Sequence, residues 1–150
     1  MGHAGGENVG TLQRVDCTDL VLGPVLPVHL GYLYALLARR DPSECISHKR
    51  MPTWWEHERF WQECPYKESY MVERLGGPIG MCYITHANEI GAHLDERSYR
   101  RAVIKHLLRT HPGTRMLLNV GTCDSWLQED AVGIGMRQCQ VTYEYTWPMG

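Results

Sequence analysis

The sequence predicts a mixed α/β (α+β) domain built on a mainly antiparallel sheet flanked by helices. Three observations carry this prediction. Strand-like runs at 68–75, 78–85 and 89–94 follow one another with turn residues between them, as in an antiparallel meander. Stretches with helical apolar spacing lie on both sides of that meander, at 30–37 and 99–111. No repeat, linker or shift in composition divides the 150 residues, so one domain over 13–150 is expected behind a Gly-rich flexible tail, 1–12.

The elements follow in order. Apolar residues at Val15, Cys17, Leu20, Val21, Leu22 and Val25 suit a strand over 14–25 that ends near Gly23-Pro24. Leu30, Leu33, Leu36 and Leu37 share one helical face, and Asp41-Pro42 stops that helix. Residues 42–52 read as a loop. Thr53 and Glu56 are spaced as a capping box, opening a helix that carries Trp54, Trp55, Phe60 and Trp61 and ends before Pro65. Trp54 and Trp61, seven apart, are expected in the core.

Gly76-Gly77 marks a hairpin between the first two strands of the meander, and His86-Ala87-Asn88 marks the next turn. In the 99–111 helix, Val103, Ile104, Leu107 and Leu108 line one face before His111-Pro112-Gly113 ends it. A buried strand is expected over 115–120. A short helix follows over 124–132, capped by Asp124 or Ser125, and an alternating final strand over 138–147. The predicted order is β-α-α-β-β-β-α-β-α-β.

Composition narrows the classes of function. With 43% hydrophobic and 21% charged residues the chain reads as globular rather than disordered. A formal charge of −2 gives no general electrostatic reason to expect nucleic acid or an anionic membrane as partner. No apolar run approaches the roughly 20 residues of a membrane span, and the first ten residues lack the pattern of a signal peptide. The six cysteines are evenly spread without C-x-x-C and read as free thiols of a reducing compartment, so a cytoplasmic location is expected. No His or Cys pair has the spacing of a zinc set, Glu56-His57 lacks a second histidine, and no G-x-S-x-G is present. Neither a metal site nor a serine hydrolase is therefore expected.

Several short segments recur in a familiar order: Ile46-Ser47-His48, Met51-Pro52-Thr53-Trp54, Glu56-His57, Pro78-Ile79-Gly80, Tyr83-Ile84-Thr85 and Asn88-Glu89-Ile90-Gly91. His111-Pro112, Asn119-Val120 and Gln140-Val141-Thr142-Tyr143-Glu144 continue the series. Together with the order of elements, they resemble the GNAT superfamily of N-acetyltransferases, in particular a branch of small bacterial enzymes, over about 21–144. The resemblance implies a GNAT-like fold, acetyl-CoA as co-substrate without a metal, and a small-molecule or peptide amine as acceptor. It also admits a homodimer.

The resemblance further assigns roles. In the superfamily an R/Q-x-x-G-x-G/A loop holds the CoA pyrophosphate on backbone N–H groups at a helix N-terminus. The matching stretch here is Arg97-Ser98-Tyr99-Arg100-Arg101-Ala102, with Arg100 in place of the central glycine and about four residues fewer before it. Asp124 stands where relatives carry a CoA-contacting asparagine, Asp130-Ala131 where many carry the tyrosine acid, and Met136 where a phenylalanine is usual. All these departures fall on the CoA side. Arg97, Arg100 and Arg101 could then bind phosphates in place of the glycine loop. Alternatively, Arg97, Arg101, Lys105 and Arg109 form a solvated helix face, partnered by Asp95 and Glu96.

The remaining site candidates are Glu89 as general base, since only a neutral amine attacks a thioester, and His93, which shares its strand parity. A backbone N–H near His93 or Leu94 would polarise the thioester carbonyl. Tyr143 is a candidate acid on the last strand, and His48 and Trp55 border the acceptor side. The reading is acetyl transfer to a primary amine. The alternative is a catalytically inactive module of the same fold that binds a protein or an anionic ligand.

Overall fold

The computed structural model describes residues 12–40 and 50–147. A six-stranded sheet, ordered β1-β2-β3-β4-β5-β6, forms the middle layer. Its strands are β1 (Gln13–Arg14), β2 (Leu20–Pro24), β3 (Glu68–Arg74), β4 (Gly77–Ile84), β5 (Glu89–Leu94) and β6 (Leu117–Leu118). Helices α1 (Leu30–Ala38) and α2 (Trp54–Gln62) cover one face, and α3 (Arg100–Arg109) and α4 (Ser125–Ile134) cover the other. No described helix is long and apolar enough to cross a membrane.

Alternation along the strands divides the core into two layers. Met71 and Met81, paired across β3 and β4, pack with Leu33 and Leu36 of α1. Their neighbours Val72 and Cys82 turn to the opposite face, where Leu22, Ile84, Ile90, Val103, Ile104 and Leu107 are buried together. Every neighbouring pair of strands is antiparallel except β5 and β6. That pair is parallel and needs a crossover, which α3 supplies.

Several boundaries differ from the sequence expectation. The first strand is split: Val15 N–H donates to Leu20 C=O at 3.0 Å, and Cys17 has φ 62°, so the chain turns back between β1 and β2. The predicted fourth strand is therefore β5. The hairpin turn lies one residue earlier than Gly76-Gly77. Arg74 pairs with Gly77, leaving Leu75 (φ 54°) and Gly76 (φ 79°) at its centre. Two left-handed residues fit the twist of a two-residue hairpin, so the turn geometry imposes that conformation on an exposed leucine. The strand expected over 115–120 shortens to Leu117–Leu118.

The final strand expected over 138–147 does not form. α4 ends at Gly135, whose φ of 102° needs no Cβ. The chain then passes Arg115, 3.9 Å from Cys139 Sγ, and continues exposed and unpaired. The capping box does form: Thr53 Oγ1 accepts from Glu56 N–H at 3.1 Å, and Glu56 Oε1 accepts from Thr53 N–H at 2.9 Å. The Arg50 guanidinium holds the Glu56 carboxyl down at about 2, with the Thr53 N–H adding to the effect. Trp61 packs beside the α1 core, but Trp54 is 44% exposed, set edge-on to Tyr34, and is not a core residue.

Candidate active site

The parallel ladder between β5 and β6 has only two pairs, Glu89 with Leu117 and Ile90 with Leu118. β5 then continues to Leu94 without this neighbour, so the two strands part beyond the ladder. The backbone direction on β5 follows from its other bonds. Glu89 C=O accepts from Thr85 N–H at 2.8 Å and Asp95 N–H donates to Ile79 C=O at 2.7 Å, both on the β4 side. Leu117 N–H donates to Asn88 C=O at 2.9 Å on the β6 side. Alternation therefore aims the N–H groups of Ala92 and Leu94 into the opening, whereas that of His93 faces β4.

The side chains of β5 alternate in the same way. Ile90, Ala92 and Leu94 enter the α3 core. Glu89, Gly91 and His93 belong to the α1 side. There Tyr83 lies across Gly91 so closely that a Cβ on Gly91 would fall 2.1 Å from its ring. Tyr66 stacks on Tyr83 at 4.0 Å, and His93 lies 5.8 Å from Tyr83. Burial raises the phenol pKa of both tyrosines, so they remain neutral donors. Glu89 sits at the closed end of the opening and is half-buried, with Thr85 Oγ1 donating to it at 3.4 Å.

His93 is held neutral. Burial, followed by the positive charges of Arg40 and Arg100, pushes its pKa down to about 3. Its Nδ1 is buried without a hydrogen-bond partner among the described residues. A ring that gives up its proton so readily is a weak base at neutral pH. It can still accept or donate a hydrogen bond to a bound molecule.

At the wide end of the opening, β5 leads into the first turn of α3, and β6 leads through a short loop into α4. Arg100 joins the two helix starts. Its Nη2 and Nη1 reach Asp124 Oδ1 and Oδ2 at 3.1 and 3.3 Å, and both side chains are at most 3% exposed. Asp124 Oδ1 also caps α4, accepting from Leu127 N–H at 3.0 Å. Asp130 completes the cluster, 3.7 Å from Arg100 Nε and 3.0 Å from Arg101 Nε.

Arg100 and Arg101, expected as phosphate ligands, meet carboxylates in this structure. Both are committed to carboxylates, and the two arginines and two aspartates carry no surplus charge. Asp124, expected on the cofactor, instead caps α4 and neutralises Arg100. The partners expected for the basic stripe change as well, since Asp95 binds Arg39 at 2.9 Å and Tyr32 at 2.8 Å. The departures at Arg100, Asp124 and Asp130 thus form one buried cluster.

The other predicted residues are placed as follows. Arg97 is half-buried at the mouth, its guanidinium 5.6 Å from the ring of Trp126. Ser98 is exposed, Tyr99 lies 5.7 Å under the Arg74 guanidinium, and Ala102 packs on the α3 core. Trp55 is 62% exposed with Arg59 over its ring, away from Glu89 and His93 in the described contacts. His48 lies outside the described residues. Tyr143 is 90% exposed on the unpaired segment, so it does not face the sheet of its own chain as the expected strand required.

Sequence reasoning missed Tyr66, Tyr83, Thr85 and Trp126. Position Gly91 held a signal for Tyr83, because a strand glycine often marks a close approach. A separate groove of about 370 Å³ lies between the β1–β2 turn and α3, where Asp16, Cys17, Lys105 and His106 meet Ser98, Arg101 and Ala102 of the predicted cofactor stretch. It includes neither Glu89 nor His93, so it is distinct from the β5–β6 opening. Among the described residues, no three His, Cys, Asp or Glu side chains are grouped to hold a metal ion.

No protein-family model matches the chain, and no curated protein matches it. Solved structures do. RimL, a ribosomal L7/L12 alpha-N-protein acetyltransferase solved in complex with coenzyme A, superposes with a TM-score of 0.61. It is 16% identical, over 83% of this chain and 82% of its own. A probable acetyltransferase of the GNAT family from Chromobacterium violaceum ATCC 12472 is 17% identical over 91% of this chain and 68% of its own. Its TM-score is 0.47. At these identities the likeness is one of fold: the chain has the fold of the GNAT acetyltransferases.

Proposed function

We propose that this protein transfers an acetyl group from acetyl-CoA to a primary amine of a small molecule or peptide. One observation carries the reading. β5 and β6 part after two residue pairs, and alternation aims two backbone N–H groups of β5, those of Ala92 and Leu94, into the gap. An extended amide-bearing chain such as pantetheine fits there as an added strand. Its thioester would lie toward the closed end, near Glu89. The N–H of Ala92, the nearer to that end, would stabilise the oxyanion as the amine attacks the carbonyl carbon, and that of Leu94 would meet an amide of the arm.

In this scheme the amine nitrogen forms the C–N bond, the C–S bond breaks, and the thiolate leaves as CoA. Glu89 accepts the ammonium proton before attack, directly or through water. Tyr66 and Tyr83 form the aromatic wall of the acceptor side, and His93 contributes a neutral hydrogen-bonding atom. His48 and Trp55 remain proposed acceptor contacts. Arg97 and Trp126, in contact at the starts of α3 and α4, would border the emerging diphosphate and adenosine, and Ser98, Tyr99 and Ala102 remain proposed cofactor contacts. RimL, which shares the fold, is named as acting on the N-terminus of a ribosomal protein, and this supports an amine acceptor.

A second reading is favoured by one observation, the cluster of Arg100, Arg101, Asp124 and Asp130 at the mouth, in which two carboxylates answer two guanidiniums. It places two carboxylates where a diphosphate would emerge, as suits a module that binds a partner without turnover. The test is acetyl transfer to a panel of peptides, polyamines and aminosugars, with wild type and Glu89→Gln. The proposal expects product with at least one amine and a kcat loss of about 10²–10³ in the variant. Full activity in Glu89→Gln would remove Glu89 from the chemistry. Absence of both transfer and acetyl-CoA binding would favour the second reading.

A further inference from the structure

We infer that the groove between the β1–β2 turn and α3 binds a sugar phosphate, apart from the β5–β6 opening. The groove encloses about 370 Å³. Pockets for small ligands run from about 300 Å³ upward, so a single phosphorylated sugar fits and a molecule as long as coenzyme A does not. The two walls differ in charge. Lys105 and Arg109 stand on the α3 wall, and Asp16 stands on the β1–β2 wall. Between them the lining is apolar, with Val15 buried and Ala102 half-buried.

The cationic wall lacks its counter-charge. Lys105 and Arg109 lie four residues apart on α3, so their Cβ atoms leave one face about 5–6 Å apart, a spacing at which like charges repel. Arg101, one turn earlier, is answered by Asp130 at 3.0 Å. Among the described residues Lys105 and Arg109 form no ion pair, and neither does Asp16. His106 adds no third charge at neutral pH, since burial lowers its pKa and its Nε2 lies 3.0 Å from Gln13 Oε1. The whole chain carries a formal charge of −2. Two unanswered cations beside a cavity are therefore a local departure, and a bound dianion would relieve their repulsion.

Each part of the ligand follows from a part of the groove. A phosphate monoester accepts charge-assisted hydrogen bonds from an ammonium and a guanidinium together. The Asp16 carboxylate repels a bare anion but accepts from hydroxyl groups, which a sugar supplies away from its phosphate. The apolar lining takes the C–H face of the ring. Location separates the groove from the opening. β1 and β2 lie at one edge of the sheet and β5 and β6 at the other, with β2 and β5 three strand spacings, about 14 Å, apart. His106 and Gln13 tie one flank of α3 to β1, whereas Arg100 and Asp124 tie the other to α4.

The test is titration of the full chain with ribose 5-phosphate, inorganic phosphate and ribose in turn, read by nitrogen–proton correlation NMR. Ribose 5-phosphate should shift amides within 15–18 and 98–109 and saturate by about 10 mM, as a millimolar Kd requires. Lys105→Gln/Arg109→Gln changes two exposed side chains and should weaken binding about tenfold or more at unchanged Tm. Asp16→Asn should erase the preference for ribose 5-phosphate over inorganic phosphate without weakening phosphate itself. No saturable shift, or binding indifferent to the double variant, would overturn the inference. So would a preference that survives Asp16→Asn, and equal binding of inorganic phosphate by wild type would mean an adventitious ion only. Ser98 and Ala102 border the groove and are also proposed cofactor contacts, so the titration is repeated with acetyl-CoA present. An unchanged Kd is expected, and displacement would overturn the separate site. None of these readouts depends on acetyl transfer.

Discussion

Replacing Asp124 by alanine removes two things the structure separates. One is the cap on α4, where Asp124 Oδ1 accepts from Leu127 N–H at 3.0 Å, an interaction that contributes about 1 kcal/mol. The other is the bidentate partner of Arg100, with both side chains at most 3% exposed. Leaving one member of a buried pair unmatched costs about 3–5 kcal/mol. Asp130, 3.7 Å from Arg100 Nε, keeps part of the compensation, which places the loss nearer the lower bound. The combined cost is about 4 kcal/mol. A chain of this length loses about 2–4 °C per kcal/mol, so Tm should fall by about 10–15 °C.

A cycle with Arg100→Met and the double variant Arg100→Met/Asp124→Leu isolates the pair. The double variant should lose about 2–3 kcal/mol less than the sum of its single changes, because no charge is left unpaired. Differential scanning calorimetry at neutral pH reads all four proteins. A fall of less than 3 °C in Asp124→Ala, or additive losses in the cycle, would refute the argument that the pair is a buried, coupled unit.

Four further outcomes are expected. Asp124→Asn keeps the capping oxygen but leaves Arg100 with surplus charge at the mouth, so acetyl-CoA Kd should tighten on the order of tenfold by calorimetric titration; looser binding would contradict the proposed place of the diphosphate. Leu75→Asn replaces an exposed leucine at φ 54° by a residue that tolerates this conformation, and should stabilise the chain by about 0.5–1 kcal/mol in urea unfolding. Thr53→Ala should cost about 1 kcal/mol through the lost cap on α2, and an unchanged midpoint would contradict it.

The fourth concerns pH. His93 is neutral when folded, with a pKa of about 3, and has an ordinary value of about 6.5 when unfolded. Between these values the unfolded chain binds the additional proton, so stability falls as pH falls from 6.5 toward 3. At pH 4.5 this component is about 2–3 kcal/mol. His93→Gln should therefore lose less stability than wild type between pH 7 and pH 4.5, and parallel acid limbs would contradict the assignment.

What the sequence disclosed follows from how local each signal is. The α2 capping box, the Asp124 cap and the α3 stripe were legible because their partners lie within one or two helical turns. The β5 face was legible as well: strand parity put Glu89 and His93 on one side. The turn at Leu75-Gly76 was misplaced by one residue because pairing of Arg74 with Gly77, not glycine content alone, fixes the centre of the hairpin.

Nothing local predicted that Arg100 would reach Asp124, 24 residues away, or that Asp130 would join them. In the sequence these were three separate departures from a family pattern, and only packing of α3 on α4 makes them one cluster. The final strand shows the opposite failure. The alternation over 138–147 predicted a strand, but a strand also needs an edge, and among the described residues this segment pairs with none. The Tyr66–Tyr83 wall was hidden for a similar reason, since the two rings meet only after α2 and β4 are packed.

The central claim is that the opening between β5 and β6 receives acetyl-CoA, and its most direct test is Tm with and without that molecule. At acetyl-CoA 100 times above a micromolar Kd, binding should stabilise the fold by about 2.7 kcal/mol. The expected rise in Tm is roughly 5–10 °C, and it should shrink when Leu94 is replaced by proline to remove the N–H aimed into the gap. No rise at millimolar acetyl-CoA would contradict the claim.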